Sequence, residues 1–184
     1  MKKHFDNSLQ WEQEFTVKPI GFVISDLKEP SLVANREGIT SNNNSNRIKH
    51  QAREIKNLVS RIIIRSSLNG ILDGLEQFSH ALVLYWPHLT KNESRNLTHV
   101  HPMGREDLDK VGVFATCSPA RPNPLLVTAV KVLKVNENIL TVQGLEAVNE
   151  SPVLDIKPYN RHYLEVTDLR LADWMENIEH EIGS

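Results

Sequence analysis

Residues Leu125–Val142 read LLVTAVKVLKVNENILTV, and this stretch decides the fold. Its first half, Leu125–Val135, is rich in β-branched residues and partly alternates, the pattern of a half-buried strand. Asn136–Asn138 supplies a turn and Ile139–Val142 resumes the strand, so the chain doubles back as an antiparallel hairpin. Ala81–Trp86 (ALVLYW) is a continuous apolar run and predicts a buried strand, and Val111–Ala115 (VGVFA) predicts another core strand. Phe15–Ser25 is β-rich, with Pro19 marking an edge or a bulge. Val59–Arg65, Val153–Ile156 and Tyr163–Leu169 complete the expected strands.

Helical signals are peripheral. Ile48, Ala52, Ile55 and Val59 lie at helical spacing, which predicts a helix over Arg47–Ser60 breaking into a strand. Leu68–Phe78 reads as a short helical segment closed by Gly74. Asp173-x-x-Glu176 reads as a capping box for a closing helix with Trp174, Ile178 and Ile182 on one face. Many short strands with few flanking helices predict a mainly β, single-domain, antiparallel barrel-like sheet. Residues 1–14 are expected to be a flexible arm before a domain over 15–184, and the Asn-rich stretch 35–46 a mobile loop.

Composition narrows the function. The chain has 184 residues, 40% of them hydrophobic, enough for one domain with a true core. Its formal charge of −2 gives no global field for nucleic acid, so RNA contact must rest on a local patch and DNA is not an expected partner. The lone Cys117 excludes a disulfide framework or a cysteine zinc cluster and fits a reducing, cytoplasmic setting. No apolar run reaches the roughly 18 residues of a membrane span, and MKKHFDNSLQ lacks a signal-peptide core. Sequence motifs for a P-loop, a GxGxxG turn or a GxSxG elbow are missing.

Two proline-bearing segments carry the chemistry. In Val111–Pro124 (VGVFATCSPARPNP), Pro119, Pro122 and Pro124 restrain the backbone and present Ser118, Arg121 and Asn123 at small entropic cost. Such a loop suits a small polar ligand; a plain structural turn has the same composition. In Pro152–Tyr159 (PVLDIKPY), Asp155, Lys157 and Tyr159 alternate, placing a carboxylate, an ammonium and a phenol on one face. That row fits catalysis, with Asp155 accepting from a target amine, and equally an internal salt bridge. His80, His88, His99 and His101 cluster in sequence, but no complete metal-ligand set accompanies them and no metal is expected. His101 and Arg105 fit a substrate-facing basic loop. The cations of Arg47–Arg65 fit an RNA phosphate track or a solvated helix face.

Glu76–Trp86 (EQFSHALVLYW), Val111–Pro124 and Ser151–Tyr159 (SPVLDIKPY), in this order and spacing, resemble the TsaA-like family, which includes the tRNA methyltransferase TrmO. The resemblance covers Val17–Tyr159. It implies a single β-barrel domain that binds S-adenosylmethionine, often at the interface of a homodimer. It further implies methylation of tRNA on the exocyclic amine of the threonylcarbamoylated adenosine 3′ of the anticodon. Carried over by position, cofactor contacts fall on His88, Leu89, Cys117, Val127, Gln143, Gly144, Leu145 and Glu146, with Ser118, Arg121 and Asn123 from the proline loop. Asp155, Lys157 and Tyr159 become the catalytic row.

Three positions depart from the family pattern: Cys117 replaces an arginine, Leu125-Leu126 replaces Ile-Gly, and an N-terminal Pro-Arg-Gln has no match in Leu27–Asn46. A methyl donor bearing a sulfonium needs positioning more than acid–base chemistry, so the missing triad is compatible with transfer. A cofactor-binding module without tRNA methylation, and a methyltransferase for another small molecule or RNA, stay open as alternatives.

Overall fold

A computed structural model describes residues 14–30, 33–35, 38–40, 50, 53–164 and 166–182. In chain order its strands are β1 (Gly21–Ile24), β2 (Val33–Asn35), β3 (Gly38–Thr40), β4 (Val59–Ile64), β5 (His80–Tyr85), β6 (His99–Val100), β7 (Val111–Gly112), β8 (Leu126–Asn136), β9 (Ile139–Gln143) and β10 (Pro152–Pro158). Six of them close a barrel in the order β1-β10-β5-β8-β9-β4, and every neighbouring pair is antiparallel. The β8–β9 hairpin forms as its sequence predicts, turning at Glu137 in a left-handed conformation. Register shifts at Val153/Asp155 and Val132/Lys134 add the local twist that closure needs.

Period-two alternation builds the interior. Ser60, Ile62 and Ile64 of β4 point inward, as do Ala81, Val83 and Tyr85 of β5, while their neighbours face out. Val23, Val130, Leu140, Val142 and Val153 complete the packed centre. Two 3₁₀ turns, Ser66–Leu68 and Leu75–Gln77, bring Leu68, Leu72 and Leu75 onto the same core. Gly21 sits where β1 meets β4 so closely that a Cβ would lie 2.2 Å from the Ile63 carbonyl oxygen. Only glycine fits there.

Several expectations are corrected. Val111–Ala115 is not a barrel strand: Val111–Gly112 pairs with β6 in a separate two-stranded sheet, and Val113–Ala115 turns into a 3₁₀ helix. The Thr116 hydroxyl donates to the Val113 carbonyl, so a side chain captures the acceptor that a longer ladder would use. Val113 instead joins Val100 and Ala120 in a small second core beneath the proline loop. Tyr163–Leu169 is not a strand either. Asn160 accepts from the His162 N–H and starts a short helix, Arg161–Leu164, after which residues 166–170 are exposed.

The β-rich stretch Phe15–Ser25 contributes only β1, and Gly74 separates two 3₁₀ turns with φ +89° rather than closing one helix. The closing helix spans Asp173–Ile182, but Ala172 accepts from Glu176 and holds the cap position, leaving Asp173 inside the first turn. Helical residues among the described part of Arg47–Ser60 are 50 and 53–57, followed by β4 as expected. Within the Asn-rich stretch, Gly38–Thr40 is a strand paired with β2, not a loop. The expected arm at 1–14, apart from Glu14, and all of 41–49 lie outside the described residues.

Candidate functional site

A cavity of about 390 Å³ opens at the end of the barrel where β5 leaves Tyr85 and β8 begins at Leu126. This is the size of a single cofactor-like ligand. One wall is the chain after β5: Pro87, His88, Leu89 and Thr90. A second is the proline loop, with Thr116, Cys117, Ser118, Pro119 and Arg121, and it continues through Leu125–Thr128 of β8. A third combines Glu146, Val148 and Ser151 from the connection between β9 and β10. Met103 also faces the cavity, with φ +52°, a left-handed conformation that a side chain rarely adopts.

The proline loop is rigid for identifiable reasons. The Ser118 N–H donates to the Thr116 hydroxyl at 3.2 Å and the Ala120 N–H to the Ser118 hydroxyl at 3.0 Å. Arg121 spans the loop, with Nε and Nη2 donating to the Ser118 and Thr116 carbonyls at 2.6 and 2.5 Å. Two guanidinium nitrogens are therefore committed to the loop itself. Ser118 and Ala120 are buried and Cys117 is exposed on the cavity side.

Tyr85 connects the cavity to the barrel core. Its hydroxyl donates to the Glu146 carbonyl at 3.0 Å and lies 3.4 Å from the Thr128 hydroxyl. Burial, opposed by the Thr128 hydrogen bond and reinforced by Glu146 and Cys117, pushes the phenol up to about 12, so it stays a neutral donor. His88 Nδ1 lies 3.4 Å from the Ser151 hydroxyl.

The structure brings together His88, Leu89, Cys117, Ser118, Arg121, Val127 and Glu146 around this cavity. The rest stand elsewhere. Asn123 is exposed in the loop but does not line the cavity. Gln143 donates to the Lys56 carbonyl and Leu145 is fully buried in the core. Gly144, at φ +88°, ends β9 by donating to the Leu58 carbonyl, so its glycine serves backbone conformation there. His101 Nδ1 donates to the Leu108 carbonyl at 2.7 Å. Arg105 makes a two-pronged bond to Asp107 (3.1 and 2.6 Å) and a third contact, 2.6 Å, to Glu181. The Arg105 guanidinium holds the Asp107 carboxyl below its ordinary value, and Asp107 raises Arg105 in return. Among the described residues no group of three His, Cys, Asp or Glu side chains converges as a metal site.

Asp155 and Lys157 face outward and pair at 2.6 Å, both substantially exposed. Asp155 borders a different hollow, beside Ile71–Gln77. Tyr159 stands edge-on to His80, ring centroids 6.4 Å apart. By register Asp155 lies opposite Leu84, which lies opposite the cavity-lining Val127. Two strand spacings, about 10 Å, separate their backbones. Sequence reasoning missed Tyr85 and Met103 as lining residues. It also took the apolar face of the closing helix for packing alone, whereas Trp174, Met175 and Ile178 line the cavity.

A family model described as the tRNA-methyltransferase O N-terminal domain matches residues 39–164, which span five of the six barrel strands (β4, β5, β8, β9 and β10), the proline loop and the His88–Leu89 wall. The chain belongs to the TrmO family. A probable S-adenosyl-L-methionine-binding protein of Methanothermobacter thermautotrophicus is 40% identical over 148 residues, covering 80% of this chain and 92% of that protein. The tRNA (adenine(37)-N6)-methyltransferase of Homo sapiens is 38% identical over 112 residues, 59% of this chain and 25% of that protein. A crystal structure of TrmO from Pseudomonas aeruginosa superposes with a TM-score of 0.61 at 24% identity, covering 86% of this chain and 61% of that one, and shares the fold. This TrmO-family chain thus spans less than two thirds of that solved chain and a quarter of the human enzyme.

Proposed function

We propose that this chain is an S-adenosylmethionine-dependent methyltransferase acting on tRNA at N6 of adenine 37, with the threonylcarbamoylated adenosine as its finer target. One observation carries the reading: three separated segments converge His88, Leu89, Cys117, Ser118, Arg121, Val127 and Glu146 on one cavity of about 390 Å³. These are residues that the family resemblance assigns to the donor. The cavity fits that ligand chemically, with apolar walls for the thioether arm and base, and a carboxylate at Glu146 for hydroxyl or ammonium donors. Trp174 adds an aromatic side chain to the lining, a residue type that suits a cationic centre. When bound, the donor supplies an electrophilic methyl carbon on a sulfonium.

The chain's own part is positioning. The braced loop fixes Cys117 and Ser118, and Tyr85 anchors the Glu146 backbone. Arg121 spends two donors on the loop, so it holds the wall in shape and keeps its remaining N–H groups for a carboxylate. Asp155, Lys157 and Tyr159 act in catalysis only if the target amine reaches the outer face of β10 and β5. A homodimer packed on that face provides such a cleft. The apolar residues there, Leu84 with Val127 (60% exposed) and Leu125 (47% exposed), suit a second copy. The catalytic row and the dimer therefore stand or fall together. The exposed thiol of Cys117 fits work in the reducing cytoplasm.

A donor-binding module without transfer is the second reading, favoured by Cys117 in place of the family arginine, which removes a charged fork from the wall. Mass spectrometry of tRNA nucleosides from a deletion strain separates the two. Loss of an N6-methylated, threonylcarbamoylated adenosine, restored by the gene, is expected; an unchanged nucleoside profile alongside measurable S-adenosylmethionine binding would establish the module instead.

A further inference from the structure

We infer that the C-terminal helix, Asp173–Ile182, is a retaining wall of the donor cavity that grips the bound ligand through Trp174 and Met175, and that the Arg105–Glu181 ion pair holds it shut. The inference rests on the proposed reading of the cavity as a methyl-donor site. The helix lies wholly outside the segment that matches the family domain, 39–164, yet it supplies three lining side chains: Trp174, Met175 and Ile178. They sit at helical spacing on one face, and Ile178 is only 4% exposed while Glu176, Asn177 and Glu179 face out. An amphipathic helix of this length does not hold itself in water; its apolar face must pack on something. Here that something is a cavity rim.

Two further observations bear on how the wall is held. The chain leading to it is exposed throughout 166–170, with Val166 and Leu169 unburied, so few contacts anchor the approach. On the far side, Glu181 accepts from Arg105 at 2.6 Å while Arg105 also grips Asp107, and this fork ties the last turn of the helix to the loop after Met103. Planar, two-sided pairing of this kind fixes orientation better than a lysine would. With the helix seated, the cavity measures about 390 Å³, a size that suits one cofactor-like ligand. Trp174, an aromatic side chain lining the cavity, is the specificity-determining contact for a ligand carrying a base or a sulfonium.

Stopped-flow binding of S-adenosylmethionine to the full chain, with calorimetry alongside, tests this. In the parent chain the indole emission is expected to change on binding, and Trp174→Phe is expected to abolish most of that change while Trp86 and Trp11 remain. Trp174→Ala is expected to weaken binding roughly tenfold, chiefly through faster dissociation. Glu181→Gln, an exposed substitution that leaves the barrel intact, is expected to raise the dissociation rate about two- to threefold and to remove its salt dependence. Unchanged dissociation rates in both Trp174→Ala and Glu181→Gln would overturn the retaining wall while leaving the donor site standing. Absence of binding by the parent chain would overturn the donor reading, and this inference with it.

Discussion

Tyr85 belongs to two structures at once, the barrel interior and the cavity wall. Its ring packs in the core while its hydroxyl donates to the Glu146 carbonyl. Tyr85→Phe keeps the packing and orphans that carbonyl, so a loss of about 1–2 kcal/mol in urea unfolding is expected, with weaker donor binding because Glu146 loses its anchor. The pH dependence follows from the same hydroxyl. Its folded value near 12 lies above the ordinary 10.0, so the folded state holds the proton more tightly. That contribution is complete below pH 10 and is lost as pH rises toward 12. The parent chain is expected to lose stability across this window more steeply than Tyr85→Phe, read from unfolding midpoints at fixed temperature. A sequence does not show such a role. ALVLYW announces a buried strand, but which end of it meets a cavity depends on a partner, Glu146, that lies 61 residues away.

At the scale of elements, the β8–β9 hairpin was legible because alternation, β-branching and an Asn-rich turn all agree. VGVFA misled because a short apolar run fits a strand and a 3₁₀ turn feeding a small core equally well; here the Thr116 N–H and hydroxyl both bond the Val113 carbonyl and close the turn. The face of the closing helix was legible and its target was not, since periodicity gives a direction and never an address. The basic stretch has a related history. Arg61 of β4 lies opposite Thr141, which lies opposite Lys134, and Lys131 stands on the same outer face of β8. None of these cations has an ion-pair partner among the described residues. They form a local positive face on a chain of net charge −2, which suits RNA phosphates. Arg61→Ala and Lys134→Ala are each expected to weaken tRNA binding and to lower the slope of log affinity against log salt by about 0.7–0.9. Filter binding across a salt series checks this, and an unchanged slope would assign the face to solvent.

Taken as a whole molecule, one barrel strand runs from the cavity to the positive face, which under the proposed function would carry donor and RNA. β8 begins at the cavity with Leu126 and Val127 and carries Lys131 and Lys134 about 13 and 23 Å farther along. A rigid closed sheet is suited to this, because no edge strand is left to move when either partner binds. Position along the chain led to some of the cavity lining, through the proline loop and His88–Leu89, since those stiff segments carry their own conformational reasons. Gln143 and Leu145 escaped that reasoning because a neighbour in sequence need not share a wall in space: Glu146 lines the cavity while Leu145 faces the core. The central claim is that this chain moves a methyl group to tRNA. Incubating the purified protein with S-adenosylmethionine labelled in its methyl group and tRNA bearing the threonylcarbamoyl modification, then digesting to nucleosides, measures it directly. Label on N6 of the adenosine 3′ of the anticodon is the expected result; label retained wholly on the donor, with the protein folded and the tRNA intact, would contradict it.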